Sequence, residues 1–151
     1  MSDKFAGSCL CEGIAFEVTT PTKWCAHCHC SMCRRAHGAG IVTWIGVESG
    51  QVTLTRGADL LQWYQSSPSP PRARRGFCRR CGSMLFFEGE RWAGETHVAR
   101  ASVPGPIDRL PQVHVYYDAH VDWLSVDDGL KRMGAPGGTQ PSSKPDAKPA
   151  S

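Results

Sequence analysis

The chain has 151 residues, 40% hydrophobic and 21% charged, with a formal net charge of +3, enough to build a domain with its own core. No apolar run approaches the ~18 residues of a membrane span, and the opening Met1-Ser-Asp-Lys-Phe-Ala-Gly-Ser-Cys9 has no apolar stretch of the kind a secretory leader carries, so a cytoplasmic protein is expected. The 14 acidic and 17 basic residues nearly balance, with no one-sided basic stripe, which argues against a nucleic-acid surface.

In chain order, residues 4–20 read as strand, turn, strand, because Ile14-Ala-Phe-Glu-Val-Thr-Thr20 alternates with period two. Gly13 is expected to supply a positive φ where the chain wraps a metal, and Pro21 to stop the strand. Next comes Cys25-Ala-His-Cys-His-Cys-Ser-Met-Cys33, four cysteines and two histidines in nine residues. Residues 34–38 allow at most one helical turn, ended by Gly38. The β-branched Ile41–Val47 is a central strand, and Gln51–Thr55 and Leu60–Gln65 are two more, joined by a turn at Gly57-Ala-Asp59. Ser66–Arg72 is a loop by composition. Arg74–Phe77, Cys78-Arg-Arg-Cys-Gly82 and Ser83–Phe87 form a zinc-knuckle hairpin, with Gly82 at positive φ. Glu95–Val103 and Gln112–Tyr117 are the last strands, and Asp127–Met133 a short helical turn. Residues 134–151 hold no aromatic or branched aliphatic side chain and cannot bury enough to order themselves. The expected fold is mostly β: a single domain over 1–133 of small antiparallel sheets stapled by zinc knuckles, and a disordered tail over 134–151.

Eight cysteines in a cytoplasmic chain favour metal over disulfides. Cys9, Cys11, Cys78 and Cys81 are two pairs on two turns far apart in sequence, which suits a closed four-cysteine zinc site. Cys28, Cys30 and Cys33 offer three sulfurs to a second zinc, which takes four ligands. Cys25 either closes that second site or packs in the core behind Trp24. Seven thiolates and two zinc ions would cancel the formal +3, and Arg34, Arg35, Arg79 and Arg80 stand beside thiolates whose charge they can offset. Zinc on three thiolates carries a net negative charge, so it acidifies water poorly and accepts a fourth thiol well. That chemistry favours thiol activation toward an electrophile. His27, His29 and His37 lie near the second set, as proton carriers or as hydrogen-bonded structural residues. His97, His114 and His120 receive no role. Trp24, Trp44, Trp63, Trp92 and Trp123 are core residues, with Trp44 and Trp123 as alternative pocket walls.

Gly7-Ser-Cys-Leu-Cys-Glu-Gly13, Cys28-His-Cys-Ser-Met-Cys-Arg-Arg-Ala-His-Gly38 and Phe77-Cys-Arg-Arg-Cys-Gly-Ser83 resemble the glutathione-dependent formaldehyde-activating enzyme family, which shares its domain with centromere protein V. The likeness runs from Phe5 to Trp123 and includes Pro111–Asp118. It implies a β-tent of small sheets, a structural zinc on Cys9, Cys11, Cys78 and Cys81, and a catalytic zinc on Cys28, Cys30 and Cys33. It further implies a carbon–sulfur lyase-type activity joining glutathione and formaldehyde, a small thiol and a small aldehyde. Arg34 and Arg35 are then candidates to grip the carboxylates of glutathione. Cys25 departs from the family motif. The alternative is a non-catalytic zinc-stapled β module that binds a partner, although the chain lacks a long basic arm. An open coordination position at Cys28, Cys30 and Cys33 separates the two readings.

Overall fold

The computed structural model describes residues 3–134, 138 and 140–146. The chain divides into two compact units, Met1–Trp24 with Trp44–Leu110, and Cys25–Thr43 with Pro111–Ser151.

In the first unit β1 (Lys4–Ser8), β2 (Ala15–Thr19) and β5 (Val52–Arg56) form an antiparallel sheet in the order β1-β2-β5. The period-two pattern of β2 puts Phe16 and Val18 inward, both nearly inaccessible. The end of β4 (Val42–Glu48) begins a run β4-β9-β8-β7-β6, with β6 Leu61–Ser67, β7 Ala73–Cys78, β8 Met84–Gly89 and β9 Glu95–Ala99. All its pairs are antiparallel. Ile45, Val47, Leu85, Phe86 and Val98 build the core, and Phe86 meets Phe16 edge-on with ring centroids 5.1 Å apart.

The second unit holds β3 (Trp24–Cys28, from its second residue), α1 (Ser31–His37), β10 (Val113–Val115), β11 (Lys131–Gly134) and β12 (Gln140–Pro141). Its strand order is β12-β11-β10-β3. Here β10 runs parallel to both neighbours, which corrects the expectation of purely antiparallel pairing. Strands so far apart in sequence have the long connection that parallel pairing needs. The buried residues are unusual: Cys25, Cys28, Cys33, His29, His114, His120 and Tyr117 stand beside few aliphatic side chains.

Several local expectations change. The first half of the cysteine cluster is the strand β3, paired with β10 from Ala26 to Cys28. The helix after it has seven residues, not a single turn. Gly38 ends it in the left-handed region at φ 60°, and Arg34, Arg35 and His37 in the last turn suit the negative end of its dipole. Strand β9 stops at Ala99 because the Ser102 hydroxyl bonds back to the Ala99 carbonyl at 2.6 Å and turns the chain. Residues 127–133 are a turn and the start of β11, not helix. The Asp128 carboxylate accepts from the Leu130 backbone N–H at 3.1 Å, and Gly129 sits at φ 68°. Of residues 134–151, which the sequence reads as a disordered tail, 135–137, 139 and 147–151 lie outside the described residues; among the described ones Gly134 and Gln140 are strand partners. Lys144 Nζ there donates to the His120 carbonyl at 2.7 Å, and Asp146 bonds the Tyr117 hydroxyl.

Candidate metal centre and histidine cluster

Two turns of the first unit build the four-cysteine group. The turn after β1 is closed by Cys9 N–H to the Ile14 carbonyl at 3.1 Å and Glu12 N–H to the Cys9 carbonyl at 3.0 Å. The positive φ falls on Glu12, at 59°, and not on Gly13. Arg56 steadies that conformation by donating to the Glu12 carbonyl at 3.0 Å. Gly13 is needed for space instead. A Cβ there would lie 2.7 Å from Leu60 Cδ1 and 3.2 Å from Cys11 Sγ. The second turn joins β7 to β8, with Gly82 N–H on the Cys78 carbonyl at 2.7 Å and Gly82 at φ 77° as expected. Ser83 links the turns: its hydroxyl accepts the Leu10 N–H at 3.0 Å and lies 3.2 Å from Cys81 Sγ.

These turns bring the sulfurs of Cys9, Cys11, Cys78 and Cys81 within 4.8 Å of one another. Cys9 and Cys11 are 3.6 Å apart, and Cys11 and Cys78 3.9 Å. A zinc tetrahedron with bonds of about 2.3 Å has edges of about 3.8 Å, so the four thiols fit that ion. Burial and neighbouring thiols push the Cys9 thiol up to about 11. Burial would also raise Cys81, but hydrogen bonds from Ser83 and from backbone N–H groups outweigh it and hold this thiol at about 5. Arg79 lies 4.0 Å from Asp59 as well as beside this cluster in sequence.

Cys28, Cys30 and Cys33 sit where β3 passes into α1. Cys28 and Cys33 are buried and Cys30 is half-buried. The Cys30 thiol is raised well above the ordinary range by a hydrogen bond with the Cys33 thiol and by burial. Among the described residues these three do not gather within 4.8 Å as the first four do. Cys25 is fully buried, its backbone held by Gln112 through both N–H and carbonyl. It lies three residues before Cys28 on one strand, so the two side chains leave opposite faces of β3. Arg34 donates to the His29 carbonyl at 3.1 Å and the Ala119 carbonyl at 3.0 Å; Arg35 is exposed.

The sequence reading leaves His114 and His120 without a role, yet the second unit is built on them. His114 pairs with His27 in the β3–β10 register, and their rings lie 5.0 Å apart. His29 Nε2 is 2.7 Å from His114 Nδ1, and His114 Nε2 is 2.7 Å from the Asp128 carboxylate. His120 stacks on Tyr117 at 4.1 Å. Burial and the neighbouring His114 push His29 down to about 3. The Leu130 N–H, His114 and Arg132 overcome burial to hold Asp128 at about 2. The only signal of this cluster in the sequence is that His114 alternates with two valines, which also describes an ordinary strand. Trp123 is 71% exposed, not a core residue. No helix among the described residues is long and apolar enough to cross a membrane.

The family described as "Glutathione-dependent formaldehyde-activating enzyme" matches residues 4–119. A Halomonas elongata protein, provisionally named as a glutathione-dependent formaldehyde-activating enzyme, is 30% identical over 128 residues, which is 80% of each chain. The crystal structure of a Rhodobacter sphaeroides protein is similar, with a TM-score of 0.55 and 29% identity. The match covers 69% of this chain and 92% of that one.

Proposed function

The chain belongs to the glutathione-dependent formaldehyde-activating enzyme family, and from that premise we propose that it joins the thiol of glutathione to formaldehyde, as a zinc-dependent carbon–sulfur lyase running toward addition. Cys9, Cys11, Cys78 and Cys81 hold a structural zinc that pins the first turn to the hairpin of β7 and β8. Cys28, Cys30 and Cys33 hold a second zinc, which when bound lowers the pKa of an incoming thiol and keeps it as thiolate. The thiolate sulfur then bonds to the aldehyde carbon, the carbonyl π pair moves to oxygen, and that oxygen takes up a proton. Arg35 meets a carboxylate of the thiol from its exposed position, and Arg34 contributes while bracing the His29 and Ala119 carbonyls. Both substrates are small and diffusible, in keeping with a cytoplasmic enzyme.

The observation that carries this reading is the position of Cys25. Leaving the opposite face of β3 from Cys28, it is poorly placed to become a fourth ligand, which supports a zinc on Cys28, Cys30 and Cys33 whose fourth position is taken by an external thiol. X-ray absorption on the zinc-loaded protein tests it. Sulfur neighbours at the second zinc should rise from three to four when glutathione is added, and Cys30→Ser should abolish the rise. Four protein sulfurs on that zinc before any thiol is added would overturn the proposal and favour the partner-binding module.

A further inference from the structure

Four strands end sheets among the described residues: β1 and β5 in one sheet, β12 and β6 in the other. Unpaired backbone at a sheet edge invites a further strand, and natural edges are guarded by charges, proline or shortness. Strand β1 carries Lys4, β5 carries Arg56, and β12 is two residues long and ends in Pro141. By contrast β6, Leu61-Gln-Trp-Tyr-Gln-Ser-Ser67, holds no charge, proline or glycine. Its one irregularity is the register shift after Gln65, which leaves Leu61–Gln65 as a regular, unguarded stretch.

The hydrogen bonding fixes which groups that edge presents. Arg79 N–H donates to the Leu60 carbonyl at 2.9 Å, so residues 60 and 79 are a hydrogen-bonded pair. Bonded and non-bonded pairs alternate along an antiparallel ladder, and the register runs on from Leu61 opposite Cys78 to Gln65 opposite Arg74. Gln62 and Tyr64 therefore bond β7, while Leu61, Trp63 and Gln65 turn their backbone N–H and C=O groups outward. Cys78 agrees with this phase: opposite Leu61, it donates away from β6, to the Ser83 carbonyl at 3.0 Å. No strand among the described residues lies on the outward side of β6. The side chains leave that side clear. Leu61 and Trp63 lie over Gly76, where a Cβ would be 3.2 Å from each. Arg74 stacks on the Trp63 ring at 4.0 Å, its charge met by Glu88 at 2.6 Å. Gln62 and Tyr64 take the other face, where Tyr64 is 64% exposed.

We infer that β6 is the docking edge for a second copy of this chain, joined antiparallel about a two-fold axis at Trp63. The axis follows from the outward groups. They belong to three residues centred on Trp63, and a two-fold there matches all three: Trp63 against Trp63, and Leu61 against Gln65 on either side, as hydrogen-bonded pairs. Between them Gln62 of one copy opposes Tyr64 of the other. In this register the strand is its own complement. No like charges meet, two tryptophans adjoin across the axis, and each exposed Tyr64 gains a cross-strand neighbour. So short a pairing makes a reversible, concentration-dependent dimer. No cysteine of either set and neither Arg34 nor Arg35 takes part in it.

Sedimentation equilibrium of the full-length protein, with zinc supplied, tests this over the micromolar range. The mass should rise from 16.5 kDa toward twice that value. Amide hydrogen exchange on the same samples should show protection at Leu61, Trp63 and Gln65 that grows with concentration, while Gln62 and Tyr64 stay protected throughout by β7. Gln62→Lys combined with Tyr64→Lys alters two exposed side chains and sets lysine against lysine twice across the axis. It should weaken association by at least about tenfold. Gln62→Lys combined with Tyr64→Glu sets lysine against glutamate at the same places and should keep the dimer. A protein that stays monomeric throughout would overturn the inference. So would a dimer that the lysine pairs leave intact, or one whose exchange protection spares the three outward amides, a result that needs no variant.

Discussion

His97 shows how one buried titratable side chain sets a pH dependence. It is 5% exposed, enclosed by the rings of Trp24, Trp44, Phe87 and Trp92, and its Nε2 lies 3.2 Å from Glu95. Burial outweighs the Glu95 carboxylate and pushes its pKa down to about 4. In the unfolded chain the ring takes a proton near its ordinary value of about 6.5. Between those values the unfolded state binds a proton that the folded state does not, so stability falls as pH drops from about 6.5 to about 4. The penalty is absent above that window and constant below it. His97→Phe keeps the aromatic packing and removes the proton. The difference in unfolding free energy between wild type and variant should therefore move by about 2 kcal/mol in the variant's favour between pH 7 and pH 4.5, as denaturant titrations would measure. A pH-independent difference would refute this. Gly13 is a second residue-scale case. Gly13→Ala must displace Leu60 or Cys11, and overpacking of that kind costs about 1–3 kcal/mol. Thermal melts with zinc present would register it as a lower midpoint.

At the scale of elements, the hairpins were readable because their signals are local. The alternation of β2, the Cys78–Gly82 turn and the left-handed Gly38 each depend on a few adjacent residues. Cys9, Cys11, Cys78 and Cys81 were readable for the same reason, since two tight turns each present a pair of sulfurs. What the sequence hid is non-local. Trp24-Cys-Ala-His-Cys28 reads as a ligand run, and only pairing with Val113–Val115 makes it a strand. The role of His114 likewise depends on a partner 85 residues away. Asp128 reads as a helix-turn residue until its carboxylate is seen capping the Leu130 turn and reaching His114. The helix α1 gives a test at this scale. With Gly38 at φ 60°, Gly38→Ala should cost about 1 kcal/mol, while zinc content stays unchanged because nothing lies within 4 Å of the added Cβ. A variant as stable as wild type would show that the helix end frays.

At the scale of the whole molecule, the division into two units matters because each cysteine set lies wholly inside one of them. Cys9, Cys11, Cys78 and Cys81 belong to the first, and Cys28, Cys30 and Cys33 to the second. Their contributions to stability should therefore be separable. A closed site formed only on folding turns metal binding energy into folding energy, and the zinc proposed for the first unit would link the turn after β1 to the β7–β8 hairpin, which together bring four sulfurs within 4.8 Å of one another. Cys78→Ser removes a fully buried thiol of that set and, on the proposed function, should release one zinc per chain, lowering the melting midpoint by more than about 10 °C. Cys30→Ser acts on a half-buried residue at the start of a seven-residue helix. It should release the other zinc with a shift of only a few degrees, because the second unit keeps the β3–β10 pairing and the His29–His114–Asp128 chain. Metal analysis and melting curves on the two variants and their combination decide the matter. Additive shifts and one zinc lost per substitution support independent sites. Loss of both ions from either variant would show that the two sets form a single cooperative structure.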